Sequence, residues 1–583
     1  MKFFTLFLLL FCAFQTHVFA QNICKLDSIT KRKIDSMYVS ASKANQIKGV
    51  SIAIVEKGEI VYATGYGLED MGNQIPASAA SIYRIGSITK SFTALSILQL
   101  QEKGLLHIDS SIQNYLPEFE LAGSNNQSSA LPLRAIMSHT AGLPGDLMNG
   151  FFTEEPPASA WTLAQLKQIK PSYPVNYCHA YSNLGFELLG AVIQRTGELT
   201  YEDYLIENIF NPLHLTSTFV YPEEGMRTPF SYNGKKEVLE PPIRDAAAGL
   251  IHSNVLDMAN YLMMYLNQGR FQENTLVSAA SIAQMQTNQL QQIVLNDGAD
   301  YGLGLYSKDF YYKTPTDSIA VKVVGHGGDT YTFHADMKFI PELGIGVVIL
   351  TNTVGGQRIN AGEKLLSLYL KSKYDAKLKP IPVEAPKVTY RTPKPGHYIL
   401  TNLVFEIQNT EKFKIKQGPA LIVATHQEAG YYTLTARLFG LIPLPIKNQA
   451  VFFEELNSKL YVRSLDLKTK KSAFIGQEIH PEPISQAWEQ AYGKYTITNA
   501  FACRNCQDID ITFDDAVLEV GEQNGYLKFS MKNAGQMINF VYYANCTEDK
   551  VALTLGIGRN NGETFRILEN GNIYYSGFEF KRQ

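Results

Sequence analysis

The chain has 583 residues, 45% of them hydrophobic, with 52 basic against 55 acidic side chains and a formal net charge of -3. That length exceeds one ordinary domain and points to roughly three or four units of about 150 residues. The balanced charge excludes the strongly basic classes, those that hold nucleic acid or an acidic membrane surface by electrostatics.

In chain order, the first segment is MKFFTLFLLLFCAFQTHVFA. Lys2 supplies a positive end, Phe3 to Phe14 a short apolar core, and Val18-Phe19-Ala20 a small-x-small cleavage site. Residues 1–20 read as a signal peptide cut after Ala20, so the mature protein is expected to be exported, periplasmic or secreted. Bulky Phe11 before Cys12 argues against a lipoprotein anchor. No later stretch reaches about 18 uninterrupted apolar residues, so no membrane span is expected in the mature chain. Five cysteines then remain: Cys24, Cys178, Cys503, Cys506 and Cys546. A disulfide among the last three is favoured over zinc, because a fourth ligand is not evident nearby.

Residues 26–46 have the pattern of an amphipathic helix. Two strand-like runs follow, GVSIAIVEKGE (49–59) and IVYATGYG (60–67), with a turn at Lys57-Gly58. SITKSFTALSILQLQEKG opens a helix at Ser87, with an apolar face of Ile88, Phe92, Leu95, Leu98 and Leu100 and a stop at Gly104. Residues 105–300 are mostly helical in pattern. Strand character returns at 320–328, 332–340 and 345–353, and a helix pattern runs near 359–373. Early and late strands around a helical middle predict one α/β domain over 21–378, its chain ends meeting in a single sheet. The stretch 377–396 carries five prolines, and a linker is expected over 379–394. Strand-like runs then dominate. Gly396-His397-Tyr398 and Gly493-Lys494-Tyr495 begin two blocks, and HPEPISQAW (480–488) separates them. Two small β domains, barrels or sandwiches, are expected at 395–484 and 485–583.

The tetrapeptide SITK occurs at Ser28–Lys31 and again at Ser87–Lys90, and Ser40–Lys43 also has serine three residues before lysine. Roughly two such spacings arise by chance in a chain this long. Context separates them. A serine hydroxyl is a weak nucleophile and needs a base within reach. Residue i+3 on a helix lies near residue i, and an apolar surround lowers a lysine pKa. Ser87 follows Gly86 and opens a strongly apolar helix. Lys31 instead runs into Arg32-Lys33, a solvated basic face, and Ser28 belongs with Asp27 to a helix start.

YRIGSITKSFTALSILQLQEKGLLHIDSSIQNYLPEF (83–119) resembles the opening of the serine β-lactamase and penicillin-binding-protein superfamily, and most of all the branch with class C β-lactamases, esterases and D-amino-acid peptidases. IMSHTAGLPG (136–145), Tyr181-Ser182-Asn183, residues 246–269 and His326-Gly327-Gly328 continue the resemblance in order, over about residues 30–370. Tyr-x-Asn alone is weak, since Tyr265-Leu266-Asn267 and Tyr543-Ala544-Asn545 match too. The resemblance implies an antiparallel sheet flanked by helices with a helical subdomain. It also implies Ser87 as nucleophile, Lys90 and Tyr181 sharing the activating proton, and Asn183 orienting Lys90 or substrate. The oxyanion hole would be the N–H groups of Ser87 and Asp329, after Gly328, with His326 lining the site and bonding Tyr181 or substrate. No metal or cofactor is called for, and the implied substrate is a small ester, peptide or cell-wall-derived molecule. A non-catalytic binding protein keeping the fold is the rival from another class. His326 stands where the β-lactamase branch carries lysine, and Tyr331 is bulky where small residues are common. Both departures lean away from a β-lactamase and towards an esterase or small peptidase, with a β-lactamase or cell-wall D-Ala-D-Ala peptidase as the alternative. His139 and Cys178 read as structural.

Overall fold

In the computed structural model, the described residues are 22–44, 47–123, 130–153, 157, 159–223, 229–356, 362–381, 390–401, 403–439, 442–444, 446–501, 503, 513, 516–532 and 539–583. The expected signal peptide lies outside them, as do Cys506 and much of the proline-rich stretch.

The first helix, α1 (Ser28–Lys43), starts where Asp27 accepts hydrogen bonds from the Ile29 and Thr30 N–H groups, both at 2.9 Å. It buries Thr30, Ile34, Tyr38 and Ala41, one stripe at helical spacing. Strands β1 (Gly49–Glu56) and β2 (Glu59–Asp70) pair across Lys57-Gly58, both with positive φ. Helix α2 (Thr89–Glu102) follows a single 3-10 turn at Gly86–Ile88. Here the expected apolar face is too narrow a description. Every residue from Thr89 to Leu100 is buried, because other elements surround α2. Its polar side chains survive burial by hydrogen bonding: Ser91 to Ile88 O, Ser96 to Phe92 O, Thr93 to Ala247 O. Gly104, at φ +74°, ends it.

Further on come α3 (Asn183–Gly197) and α4 (Val255–Leu266), then strands β3 (Tyr306–Lys313), β4 (Ser318–Asp329), β5 (His334–Ile340) and β6 (Ile345–Thr351), and α5 (Gly362–Tyr374). No strand is expected from the sequence at β3. Its run YSKDFYYK buries only Ser307 and Phe310, so its pattern is too polar to stand out. The strands lie side by side as β2-β1-β6-β5-β4-β3 in an antiparallel sheet. The early and late strands therefore meet at β1 and β6. Both are buried along their whole length, and alternation splits them between two cores. Ile52, Ile54, Val347 and Ile349 pack with α1 and α5, while Ala53, Val55, Val348 and Leu350 pack with α2, α3 and α4. Lys377–Pro380, at the head of the proline-rich stretch, forms a strand on β3.

The C-terminal region is β-rich, as expected. Residues 396–479 form a nine-stranded sheet among the described residues, and residues 493–582 a closed eight-stranded barrel. Trp488, Leu518, Phe529, Phe565 and Phe580 fill the barrel. Cys503 is disulfide-bonded, whereas Cys24, Cys178 and Cys546 are free. No helix of the described residues is long and apolar enough to cross a membrane.

Candidate active site

The two SITK copies end in different surroundings. Ser28 is exposed, and Lys31 donates to Asp35 at 2.5 Å, an i,i+4 pair on the solvent side of α1. Ser40 and Lys43 are exposed as well. Ser87 lies in the turn leading into α2 at the wall of a cleft of about 630 Å³, and Lys90 behind it is fully buried.

Two glycines let strand and turn approach. Gly86 has φ +51°, and a Cβ there would lie 2.9 Å from Asp329 N. A Cβ on Gly328 would lie 1.8 Å from Ile85 O. The end of β4 is thereby held against the residue preceding Ser87. Pairing parity aims it. Thr330 N–H bonds Phe333 O at 2.9 Å, so Asp329 and His334 form a pair without ladder hydrogen bonds. The Asp329 N–H then faces away from β5, towards Gly86 and Ser87. On that side β3 pairs with β4 only as far as Tyr306 opposite Gly325, which leaves His326–Asp329 as an open edge along the cleft.

Lys90 Nζ donates to Ser87 Oγ at 3.1 Å, Asn183 Oδ1 at 2.7 Å and Ala248 O at 2.8 Å. Burial holds its pKa well below the ordinary amine value; Arg559 pushes the same way, while Asp146 and Asp245 oppose. A neutral amine keeps two N–H groups for Asn183 and Ala248 and turns its lone pair to the Ser87 hydroxyl. Asn183 begins α3, whose cap Ser182 accepts from Gly185 N at 2.9 Å, and its Nδ2 donates to Asp146 Oδ1 at 2.7 Å. Tyr181, just ahead of that cap, has its ring beside Lys90 Nζ, 4.8 Å from the centroid, and lines the cleft with Ser87. Burial raises the Tyr181 phenol pKa, so its resting form is neutral. The cation facing Tyr181 is Arg559, with Cζ 5.2 Å from the ring centroid.

His326 lines the cleft and burial lowers its pKa to about 3, so it is uncharged at neutral pH. The expected bond to Tyr181 is absent: the rings are 6.3 Å apart, and Nδ1 instead meets Gly327 O. His326 Nε2 has no partner among the described residues. Asp329 turns its carboxylate to His334 Nδ1 at 2.5 Å and its backbone to the cleft. His139 supports the site from beneath, accepting from Ser182 N at 3.1 Å with its ring 4.1 Å from that of Tyr181. Cys178 is buried and its thiol pKa is pushed up to about 12, which leaves it protonated and unreactive.

Three contributors had no local signal. Arg559, on the barrel loop between Val551–Thr554 and Thr564–Ile567, lines the cleft and donates to Asp146 Oδ2 at 2.6 Å. Asp146 joins it to Asn183 and so to Lys90. Glu240 accepts from Thr330 Oγ1 and from Tyr331 N, at 2.8 and 3.0 Å, which sets the loop carrying Tyr331 at the cleft rim. The string GIGRNNGE advertises a turn, but nothing near it points to residue 146. Among the described residues no group of three or more His, Cys, Asp or Glu side chains could hold a metal ion.

The fold is that of the β-lactamase and penicillin-binding-protein superfamily, whose members are generally serine hydrolases. Within it, the model of the family described as Beta-lactamase matches residues 34–369, over half the chain, and the protein belongs to that family. Protein flp of Staphylococcus aureus (strain NCTC 8325 / PS 47) is 23% identical over 343 residues, 56% of this chain and 64% of that protein, so the chain spans under two thirds of its length. Beta-lactamase-like protein 2 of Dictyostelium discoideum is 28% identical over 398 residues, covering 62% and 68% of the two chains. In fold, the chain is similar to the octameric penicillin-binding protein homologue from Pyrococcus abyssi, with TM-score 0.50 and 24% identity over 76% of this chain and 98% of that one.

Proposed function

We propose that the protein is an exported serine hydrolase of the esterase or small-peptidase kind within the class C-related branch, working through an acyl-enzyme on Ser87. The observation that carries this reading is the buried Lys90 amine, within hydrogen-bond reach of Ser87 Oγ at 3.1 Å and with its pKa lowered by burial. Lys90 takes the proton as Ser87 Oγ attacks the acyl carbonyl. The Ser87 and Asp329 N–H groups face the carbonyl oxygen as it becomes anionic. Tyr181, a neutral phenol in the same cleft as Ser87, relays a proton to the leaving group, and water then frees the acid. Asn183 fixes the Lys90 amine. Export rests on the N-terminal pattern of Lys2, the apolar run and Ala20. The uncharged His326, in the place of a lysine, supports an ester or amide over a β-lactam, whose carboxylate calls for a cation there.

The test is labelling by a fluorophosphonate and by a fluorescent penicillin. Wild type and Ser28→Ala should take the fluorophosphonate equally, Ser87→Ala should take none, and penicillin should label weakly or not at all. Strong penicillin labelling would move the assignment to a penicillin-interactive enzyme. Loss of both labels in wild type would favour a binding protein that keeps the fold.

A further inference from the structure

A cavity of about 250 Å³ lies in the mouth of the closed barrel. The barrel side is apolar and aromatic, with Ala516, Met531, Phe540 and Tyr542. The catalytic side is closed by Met148, Phe151 and Phe152. Phe151, Phe152 and Arg559 also line the cleft that holds Ser87, so the two spaces meet along shared side chains. Charged groups at the seam are already paired. Arg559 donates to Asp146 at 2.6 Å, and Glu563 accepts from the Tyr575 hydroxyl at 2.7 Å. They make no demand for a polar ligand. Protein interiors leave few voids larger than a water molecule. An apolar cavity of about 150 Å³ already takes up benzene. Eight-stranded barrels can hold one small ligand, and barrel mouths are recurrent binding sites.

We propose that this barrel-mouth cavity takes the apolar acyl chain of the substrate whose carbonyl reaches Ser87. The proposal rests on the serine hydrolase reading and gives it a substrate class: esters or amides of medium-length aliphatic or arylalkyl acids. Ser87 Oγ bonds to the carbonyl carbon, and the alcohol or amine leaves with the proton Ser87 gave up. Water then adds to the same carbon, Ser87 regains its proton, and the chain departs from the barrel mouth as the free acid. The barrel is thereby part of the catalytic unit, because the C-terminal region supplies the wall against which the acyl group lies.

The test compares p-nitrophenyl acetate with p-nitrophenyl octanoate, using the full chain and the cavity-filling variants Ala516→Phe and Met531→Trp. Wild type should favour octanoate in kcat/KM by about tenfold or more. Filling the cavity should remove that preference and leave acetate turnover within about twofold, which also reports that the variant has folded. A parallel fall on both esters in both variants, or octanoate turnover untouched by either, would overturn the proposal. A second arm needs no chemistry: a fluorescent fatty acid, cis-parinaric acid, should bind Ser87→Ala and lose binding when Ala516→Phe is added. Probe binding without turnover of either ester by wild type would sink the hydrolase reading and keep the pocket. Turnover with no chain-length preference and no probe binding would sink the pocket and keep the hydrolase.

Discussion

Lys90 is a buried amine whose nearest partners are uncharged: a hydroxyl, an amide oxygen and a backbone carbonyl. Nothing in contact offsets the cost of holding a cation there, so burial drives the pKa of the amine well down, as the proposed role of a base requires. Arg559 adds to the effect, since it and Lys90 both face the Tyr181 ring. Its removal has a definite sign. With the guanidinium gone, protonated Lys90 loses a repulsion and Asp146 loses its counter-ion, and both changes favour the charged amine. The proposed mechanism needs neutral Lys90, so in Arg559→Gln the acid limb of the kcat/KM profile should move to higher pH by about one unit. His326, already neutral down to about pH 3, should contribute no limb between pH 5 and 8. An acid limb that stays put or moves down would show that Arg559 does not act on the base. At this level Ser87 and Lys90 were legible in the sequence, because an apolar helix following a glycine sets one SITK apart from the copy running into Arg32-Lys33. The Tyr181 environment was not legible, because burial of a phenol is decided by residues far from it.

The turn Gly86–Ile88, with helix α2 behind it and β4 in front, converts that motif into geometry. Gly86 tests the arrangement. Its φ of +51° and the 2.9 Å from a Cβ to Asp329 N leave no room for alanine without moving strand or turn. Gly86→Ala should cost about 1–3 kcal/mol in denaturant melts. It should also slow fluorophosphonate labelling by about a hundredfold, since a shift of about 1 Å between nucleophile and oxyanion donor suffices for that. Gly104→Ala is the control. Its φ is also positive at +74°, but a Cβ there meets nothing, so it should lose stability alone and label at the wild-type rate. Equal labelling by both variants would detach the turn from the site. Helix α2 was predictable from its apolar run and its glycine stop. That it is buried on every side was not, because periodicity reports a helix's own residues and not the α3 and α4 segments that cover it.

Across the molecule, the barrel is fastened to the α/β unit next to the cleft. Asn149 is fully buried, donates to Asn499 O at 3.1 Å and Gly577 O at 2.8 Å, and accepts from Phe501 N at 3.0 Å. The Arg559 loop is held by Tyr173, whose hydroxyl donates to Gly558 O at 3.2 Å, and by Gln477 of the nine-stranded sheet, which donates to Gly556 O at 3.1 Å. The barrel therefore supplies Arg559 to the cleft, and the nine-stranded sheet braces the loop that carries it. Asn149→Ala leaves buried partners unpaired and should lower stability by about 2–3 kcal/mol. It should reduce kcat/KM for a long-chain ester more than for acetate. An unchanged melting midpoint, or equal loss on both esters, would count against a barrel that works as part of the site.

The amino-acid order by itself determined the α/β unit with early and late strands in one sheet, the β-rich region after the prolines, and the Ser87, Lys90, Tyr181 and Asn183 set. These are written in local patterns: short apolar runs at β1 and β6, a helix start at Gly86, and short strings at fixed offsets. Only the tertiary structure decided what surrounds them. Arg559 reaches Asp146 across a separation of 413 residues, and the barrel mouth opens beside Phe151 and Phe152. Burial, which sets the charge of Lys90, Tyr181 and His326, is a property of everything packed around a group. Neighbours along the chain cannot supply it.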